Sequence, residues 1–485
     1  MSESIVTNPT RGKENAMSAM SDCTAAPLGF LQLRVLPLSI LRLRDLVSSI
    51  RTRRRRVSPP CHPVDRAQTV GGTAAAAALL YAVFTSAMAC SPASAQSPIK
   101  IGFSMAVTGG LSPNGRSALI AMKIWEADVN ARGGLLGRPV QLVYYDDQSN
   151  PSSVPGIYNK LLDVDKVDLV VGPYATNMVA PAMPTIIQRN MVFTGLYGFD
   201  VNSEFHYRRY FSFMPTGPDS RKALTQGFFE VAKSINPRPE TVAILAADAE
   251  FSRNAADGAR TNAQAAGLKI VYDKTYPPST VNFTSILLAV KATNADIVYV
   301  ASYPIDTVAV VRAAREVGLK AKQFGGSMVG LQTTSIKTQL ASLLNGIVAF
   351  DFWLPAPSMQ FPGVLELLKK YQEKAAGEGV DPLGYVMAPT AYAQMQVIAE
   401  AVEGTKSLDA AKLADYIHGH TFTTVAGEIS FTEFGEWTKP RILTVQFQNV
   451  KGNGLGQFRD TSAEVIVWPD MYKSGAAILP WVDTQ

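Results

Sequence analysis

The sequence predicts an α/β protein made of two similar Rossmann-like lobes with parallel-rich sheets. Two short β-branched runs lie at residues 167–171 and 297–300, the first containing Asp168 and the second directly following Asp296. Each run ends in a small or polar loop. A helical pattern follows each loop and leads to a further short strand, at 191–194 and 323–326. A strand, a loop and a helix that returns to a parallel strand form one unit of a doubly wound sheet. Two such units indicate two lobes.

The repeat extends back to the start of each predicted lobe. Residues 100–105 and 241–245 have the pattern of buried strands, and helical patterns follow at about 115–129 and 252–266. The two halves are offset by about the length of one domain, which favours an internal duplication.

The loops after the repeated strands are the predicted ligand site, because ligands of such sheets bind at the carboxyl ends of the strands. One loop lies around residues 174–176 and the other around 302–303. Each precedes a predicted helix, and Asp306 is predicted to cap the second one. Free N–H groups at a helix N-terminus suit an anionic or carbonyl ligand. We therefore expect the two loops to face each other across a cleft.

Residues 1–95 differ from the rest of the chain in charge. They contain eleven Lys and Arg against five Asp and Glu, which accounts for the formal net charge of +5 of the whole chain. The remainder is nearly neutral and gives no electrostatic reason to expect a nucleic acid partner.

The same region has the pattern of a secretory signal. Arginines at 51 and 53–56 precede an uncharged apolar stretch at 69–89, which is followed by Ala93-Ser94-Ala95. This order predicts a leader that contains a signal peptide at about 66–95, cleavage after Ala95 and a periplasmic product. A membrane anchor is one alternative, since ~20 apolar residues can span a bilayer. Lipid attachment at Cys90 is another, although the preceding Ala-Met-Ala lacks the usual leucine.

The cysteines, Cys23, Cys61 and Cys90, all precede the predicted cleavage point. The mature chain would then have no disulfide, no cysteine nucleophile and no thiolate metal site. No second apolar run is long enough to span a membrane, so we expect a soluble product.

Motifs for catalysis, cofactors and metals are missing from the predicted mature chain. The first loop, VTGGLSPN, is neither a dinucleotide fingerprint nor a Walker motif. Asp146 and Asp147 lack the spacing of a calcium loop. His418 and His420 are not in a zinc motif, and Ser327 is not in a nucleophile elbow. The sequence therefore predicts a protein that is not an enzyme and that holds no cofactor and no metal.

Four segments, in this order and spacing, resemble one known family. They are KIGFSMAVTGG, NARGGLLGRPVQLVYYDDQSNP, KVDLVVGPYATNMVAPAMP and VRAAREVGLK. Together they resemble the leucine/isoleucine/valine-binding proteins of bacterial ABC importers, which have the type I periplasmic binding protein fold. The resemblance covers residues 98 to about 450. It implies two lobes, joined by three hinge crossings, that close on a small ligand and present it to a membrane permease.

The resemblance also suggests where the chain passes between the lobes. Lobe 1 would comprise residues 98–216 and 353–444, and lobe 2 residues 217–352 and 445–485. The predicted hinges are at 215–219, 349–355 and 445–449. We expect a monomer whose partners are a small-molecule ligand and an ABC transporter permease.

The ligand-binding positions follow from the resemblance, residue by residue. Thr176 matches a family position that holds the carboxylate or carbonyl group of the ligand. The full predicted set is Asn114, Tyr174, Ala175, Thr176, Leu196, Tyr197 and Gly198 from lobe 1, and Phe251, Tyr303 and Ser327 from lobe 2.

One departure from the family pattern bears on the ligand. Amino-acid binders of the family place a carboxylate after the strand at 323–326 to pair with the ammonium group, but residues 325–329 here read GGSMV. A buried ammonium without a partner costs several kcal/mol. We therefore predict a carboxylate or amide without a charged amine, with aromatic acids as candidates. A branched-chain amino acid is the alternative if Asp248, Glu250 or Asp306 supplies the charge, and a freestanding sensor for a signalling receptor is a further alternative.

Overall fold

The computed structural model describes residues 96–481. The predicted leader, its signal peptide and Cys90 lie outside the described residues. Within 96–481, no helix is both long enough and apolar enough to cross a membrane.

The described chain contains β-strands distributed along most of its length. They are β1 (Ile99–Met105), β2 (Val140–Asp146), β3 (Leu169–Val170), β4 (Phe193–Leu196), β5 (Tyr210–Phe213), β6 (Thr241–Ala247), β7 (Lys269–Tyr276), β8 (Ile297–Ser302), β9 (Gln323–Met328), β10 (Val348–Asp351), β11 (Phe422–Thr424), β12 (Gly427–Ile429), β13 (Leu443–Phe447) and β14 (Glu464–Trp468).

Helices connect most of these strands. They are α1 (Ser112–Ala131), α2 (Val154–Asp163), α3 (Thr176–Gln188), α4 (Asn202–Phe205), α5 (Ser220–Ala232), α6 (Glu250–Ala265), α7 (Thr284–Ala292), α8 (Pro304–Glu316), α9 (Thr334–Leu340), α10 (Val364–Ala375), α11 (Met387–Thr405) and α12 (Ala410–Gly419). Short 3-10 turns occur at Pro151–Ser153, Val329–Gln332, Ala341–Leu344, Pro357–Met359 and Leu455–Phe458.

Parallel pairing dominates the sheets, as the sequence predicts. In the three-stranded sheet, β1 pairs in parallel with β2 and β3. Strands β4 and β5 form a separate two-stranded parallel sheet. The seven-stranded sheet has the order β14-β13-β10-β9-β8-β6-β7, in which β13 pairs antiparallel with both β10 and β14 and all other pairs are parallel. Strands β11 and β12 form a separate hairpin. The prediction of an α/β protein with parallel-rich sheets is confirmed.

The central strands have continuous apolar sequences because helices cover both faces of a parallel sheet. Every residue of β8 is buried, and only Thr241 of β6 is partly exposed. Burial of these strands leaves the loops at their ends as the places where side chains can meet a ligand.

Several predicted boundaries shift in the structure. The strand predicted at 191–194 begins at Phe193, and the one predicted at 323–326 runs on to Met328. Strand β13 pairs with β10 from Leu443 onward, so residues 445–447, part of a predicted hinge, lie inside a strand.

The predicted cap at Asp306 is wrong. Helix α8 begins with Pro304, a residue well suited to the first helical position because its missing N–H would have no partner there. Asp306 is therefore inside the first turn. Its carboxylate is buried and accepts a hydrogen bond of 2.5 Å from the Tyr276 hydroxyl.

Three ionisable side chains form a buried cluster between α9, β10 and β14. The Lys337 ammonium contacts the Glu464 carboxylate and lies 3.8 Å from Oδ2 of Asp351, and all three side chains are at most 3% exposed. One cation faces two carboxylates, and burial raises the pKa of Asp351 well above its usual value. The cluster links β14, at one edge of the seven-stranded sheet, to β10 and to helix α9.

We predict that Lys337→Met destabilises the fold by about 3–5 kcal/mol, because it leaves two buried carboxylates without a cation. Urea denaturation of the chain from Gln96 onward measures this loss as a lower midpoint with an unchanged slope. The control is Lys233→Met, which removes an exposed pair with Glu230 and should cost less than about 1 kcal/mol. Equal losses in the two variants would contradict the role assigned to the cluster.

Candidate functional site

The candidate site is a cleft at the carboxyl ends of strands that belong to different sheets. Residues after β3 and β4 form one wall, and residues after β6, β8 and β9 form the other. The cleft has an empty volume of about 380 Å³, including its open mouth. Its lining residues are Tyr174, Ala175, Thr176, Tyr197, Met214, Phe251, Tyr303, Val329, Gln332, Phe350, Phe352 and Met387.

Six of the ten sequence-predicted site residues line this cleft. They come from both predicted walls, as the repeat led us to expect. The six are Tyr174, Ala175, Thr176, Tyr197, Phe251 and Tyr303.

The other four predicted residues do not line the cleft. Leu196 is buried within β4, and at Gly198 a Cβ would lie 2.3 Å from the Tyr210 hydroxyl, so its backbone is packed against that ring. Asn114 lies behind the wall, where its Nδ2 donates a 2.7 Å hydrogen bond to the Tyr174 hydroxyl. Ser327 faces away from the cleft and accepts a 2.5 Å hydrogen bond from the Tyr299 hydroxyl.

Sequence reasoning missed half of the lining. Phe350 and Phe352 lie at the end of β10, in the segment predicted only as a hinge, and Met387 begins α11. An aromatic pair at a predicted crossing between lobes is a signal that the sequence did contain. The other missed residues are Met214, Val329 and Gln332.

Aromatic rings form most of the cleft wall. The Tyr197 and Phe352 rings stack with their centroids 5.2 Å apart, and the Phe251 ring lies 6.0 Å from Tyr303 and 6.4 Å from Phe350. Such rings offer a large apolar surface with defined faces and edges, which suits a flat or aliphatic ligand body.

Most hydroxyl groups at the cleft already have protein partners. Thr176 Oγ1 donates to the Tyr197 carbonyl at 3.3 Å and accepts from the Phe199 N–H at 3.1 Å. The Tyr197 hydroxyl lies 2.7 Å from Thr390 Oγ1. Thr176 is therefore less available to a ligand than the family pattern implies.

Two polar groups in the cleft are buried without a hydrogen-bond partner. They are the Tyr303 hydroxyl and Nε2 of Gln332. Burial raises the pKa of Tyr303, so its hydroxyl is a neutral donor at physiological pH. An unpaired buried donor costs about 1–3 kcal/mol, and an acceptor on a ligand would remove that cost.

No charged side chain is among the lining residues of this cleft. The three acids considered from the sequence all lie outside it. Asp248 forms an exposed ion pair with Arg253 at 2.9 Å, and Asp306 is bound by Tyr276. Burial raises the pKa of Glu250 to about 7, and the Glu204 carboxylate adds to this rise.

A family model described as periplasmic binding protein matches residues 98–451. The chain belongs to the periplasmic binding protein family. This membership confirms the resemblance seen in the sequence. The relatives described below are named as binding proteins.

Individual relatives of this periplasmic binding protein differ in what they bind. The chain is 26% identical over 362 residues to a leucine-, isoleucine-, valine-, threonine- and alanine-binding protein of Pseudomonas aeruginosa, a match that covers 74% of this chain and 92% of the relative.

Two solved structures share the fold. One is a branched-chain amino acid transporter substrate-binding protein of Streptococcus pneumoniae in complex with isoleucine, at 20% identity and a TM-score of 0.62, with 73% of this chain and 97% of the other covered. The other is an ABC transporter solute-binding protein of R. palustris in complex with 4-hydroxybenzoate, at 19% identity and a TM-score of 0.61, with 73% and 94% covered.

Proposed function

We propose that this protein captures a small carboxylate or amide without a charged amine, preferably one with an aromatic body, and delivers it to an ABC permease. The observation that carries this proposal is the uncharged aromatic cleft with two buried polar groups that have no partner, Tyr303 and Gln332. Relatives with this fold include both an isoleucine complex and a 4-hydroxybenzoate complex, so the ligand class must be argued from this cleft itself.

The unpartnered groups favour a ligand with an acceptor. The Tyr303 hydroxyl can donate one hydrogen bond, and the amide nitrogen of Gln332 can donate two. A carboxylate oxygen or an amide carbonyl would accept these bonds. Hydrogen bonds from neutral donors to a charged acceptor are stronger than those to a neutral one.

The lining also disfavours a ligand ammonium group. An α-amino acid would bring a cation into a cleft in which no lining side chain is an acid. A charge moved from water into such a site without a partner costs several kcal/mol.

The proposal includes the location and the lobes. We place the third crossing just before Leu443, because β13 is paired on both sides and cannot serve as a flexible hinge. Residues 98–216 with 353–442 would then form lobe 1, and residues 217–352 with 443–485 lobe 2. Closure of the two lobes around the crossings would enclose the solute and create the surface that the permease recognises. We further propose export by the signal peptide to the periplasm, as a monomer without enzymatic activity.

Branched-chain amino acid binding is the second candidate, and Glu250 is the residue that favours it. This carboxyl directly precedes Phe251 of the cleft, has no ion pair among the described residues, and influences the Tyr303 hydroxyl electrostatically. In its ionised form, the Glu250 carboxylate could attract the ammonium group of a ligand in the cleft.

We predict that 4-methylpentanoate and 3-phenylpropanoate raise the melting temperature of the chain from Gln96 onward more than leucine and phenylalanine do. The members of each pair share the same carbon body and differ in the α-ammonium group, so the comparison isolates the charge. A ligand that binds only the folded state stabilises it by mass action, and a thermal-shift assay measures this. Larger shifts with the two amino acids would contradict the proposal.

We predict that Tyr303→Phe and Gln332→Leu each weaken binding of the amine-free acid by roughly tenfold or more, since each loses a hydrogen bond to a charged group. Isothermal titration calorimetry gives the affinities. Tyr272→Phe is the matched control, because this half-buried tyrosine lies on β7 and does not line the cleft. Unchanged affinity in both cleft variants would show that the ligand carboxylate binds elsewhere.

The pH dependence of binding distinguishes the two candidates. Glu250 is neutral below its pKa of about 7 and charged above it. A ligand carboxylate should bind less tightly as pH rises from 6 to 8, by roughly three- to tenfold, because the ionised Glu250 repels it. Glu250→Gln should remove this dependence. For an amino acid paired with Glu250, affinity would instead rise over the same interval.

A further inference from the structure

Three consecutive residues, Gln332, Thr333 and Thr334, run from the end of the 3-10 turn after β9 to the first residue of α9. They belong to the half of the chain with the seven-stranded sheet, and each is at most 7% exposed. Gln332 lines the cleft, whereas Thr333 and Thr334 bind to the other half of the chain.

The contact of Thr333 leads back to the cleft wall. Its hydroxyl donates a 3.3 Å hydrogen bond to Oδ1 of Asn114 in α1. Nδ2 of the same Asn114 donates to the hydroxyl of Tyr174, which lines the cleft. Asn114, predicted from the sequence as a ligand contact, thus links the two halves behind the wall.

The contact of Thr334 ends at a single buried carboxylate. Asp381 lies in the loop before α11 and is 7% exposed. Its oxygens accept hydrogen bonds from the Thr334 N–H at 2.5 Å and from the Thr334 hydroxyl at 3.1 Å. They also accept from the N–H groups of Leu383 and Gly384, both at 2.9 Å, within its own loop.

This arrangement places a charge-assisted contact between the halves next to the cleft but outside it. Asp381 is not a lining residue, and its two loop hydrogen bonds fix the carboxylate whether or not Thr334 is present. Thr334 is the first residue of α9, where its N–H has no partner inside the helix. The carboxylate therefore satisfies a donor that would need water if the halves separated.

We propose that Asp381 is a positioning residue for solute binding, which holds the 332–334 segment against the other half and so sets the population of the closed arrangement. This inference rests on the proposed function. Apparent affinity falls in proportion to the fraction of molecules in the binding-competent state. Because the Asp381 contact does not touch the solute, its loss should weaken every solute by the same factor.

Thr334→Pro tests the contact directly. Proline removes both the N–H and the hydroxyl that Asp381 accepts from, yet it suits the first position of a helix. The preceding Thr333 has φ −91° and ψ 121°, an extended conformation that a following proline favours. The loop hydrogen bonds of Asp381 remain. The matched control is Thr338→Val, which removes a hydroxyl that donates only to Ser335 within the same helix.

Affinities for 4-methylpentanoate, 3-phenylpropanoate and leucine would be measured by calorimetry for wild type and both variants. We expect Thr334→Pro to weaken each solute that binds by the same factor, roughly tenfold. Thr338→Val should match wild type. Thr334→Val, which keeps the N–H, should show a smaller uniform loss and replaces the proline variant if that variant fails to fold. Unchanged affinities, or a loss confined to one solute, would overturn the inference.

Failure of the proposed function would be recognised separately. If none of the three solutes binds wild type, small-angle X-ray scattering of the solute-free proteins tests the contact alone. A larger radius of gyration for Thr334→Pro than for wild type and Thr338→Val would support the role of Asp381. Identical radii would overturn it.

Discussion

Parallel strand pairing is the constraint on which the rest of the structure depends. In one sheet β1 pairs in parallel with β3, and in the other β8 pairs in parallel with both β6 and β9. The carboxyl ends of the strands therefore lie at one edge of each sheet. The segments that follow them, at 174–176, 251, 303 and 329–332, line one cleft between the sheets. Helices bury both faces of the central strands, so these loops are where side chains remain available for a solute.

The same constraint explains how much the sequence could predict. Runs of β-branched residues locate the buried strands, and the residue immediately after a parallel strand is close to the cleft whatever its side chain. Tyr174 and Tyr303 were found in this way. Ser327 was not placed correctly because it lies inside β9, where alternate side chains point to opposite faces, and its hydroxyl meets Tyr299 on the far side.

The spacing of residues along the sequence does not predict a lining residue that lies outside the loops after the strands. Met387 begins α11, well away along the sequence from the other lining residues. The sequence also gave no means of knowing which polar groups would be satisfied. Thr176 and Tyr197 have partners in the folded chain, whereas Gln332 and Tyr303 do not, and this difference is what defines the ligand chemistry.

The central claim is that the cleft binds an acid through the Tyr303 hydroxyl and Gln332 Nε2, with no charged partner for an amine. A crystal structure of the protein with its bound solute tests it most directly. The account predicts ligand oxygens within hydrogen-bond distance of both groups and an apolar ligand body between Phe251 and Phe352. A ligand ammonium paired with the Glu250 carboxylate would contradict it.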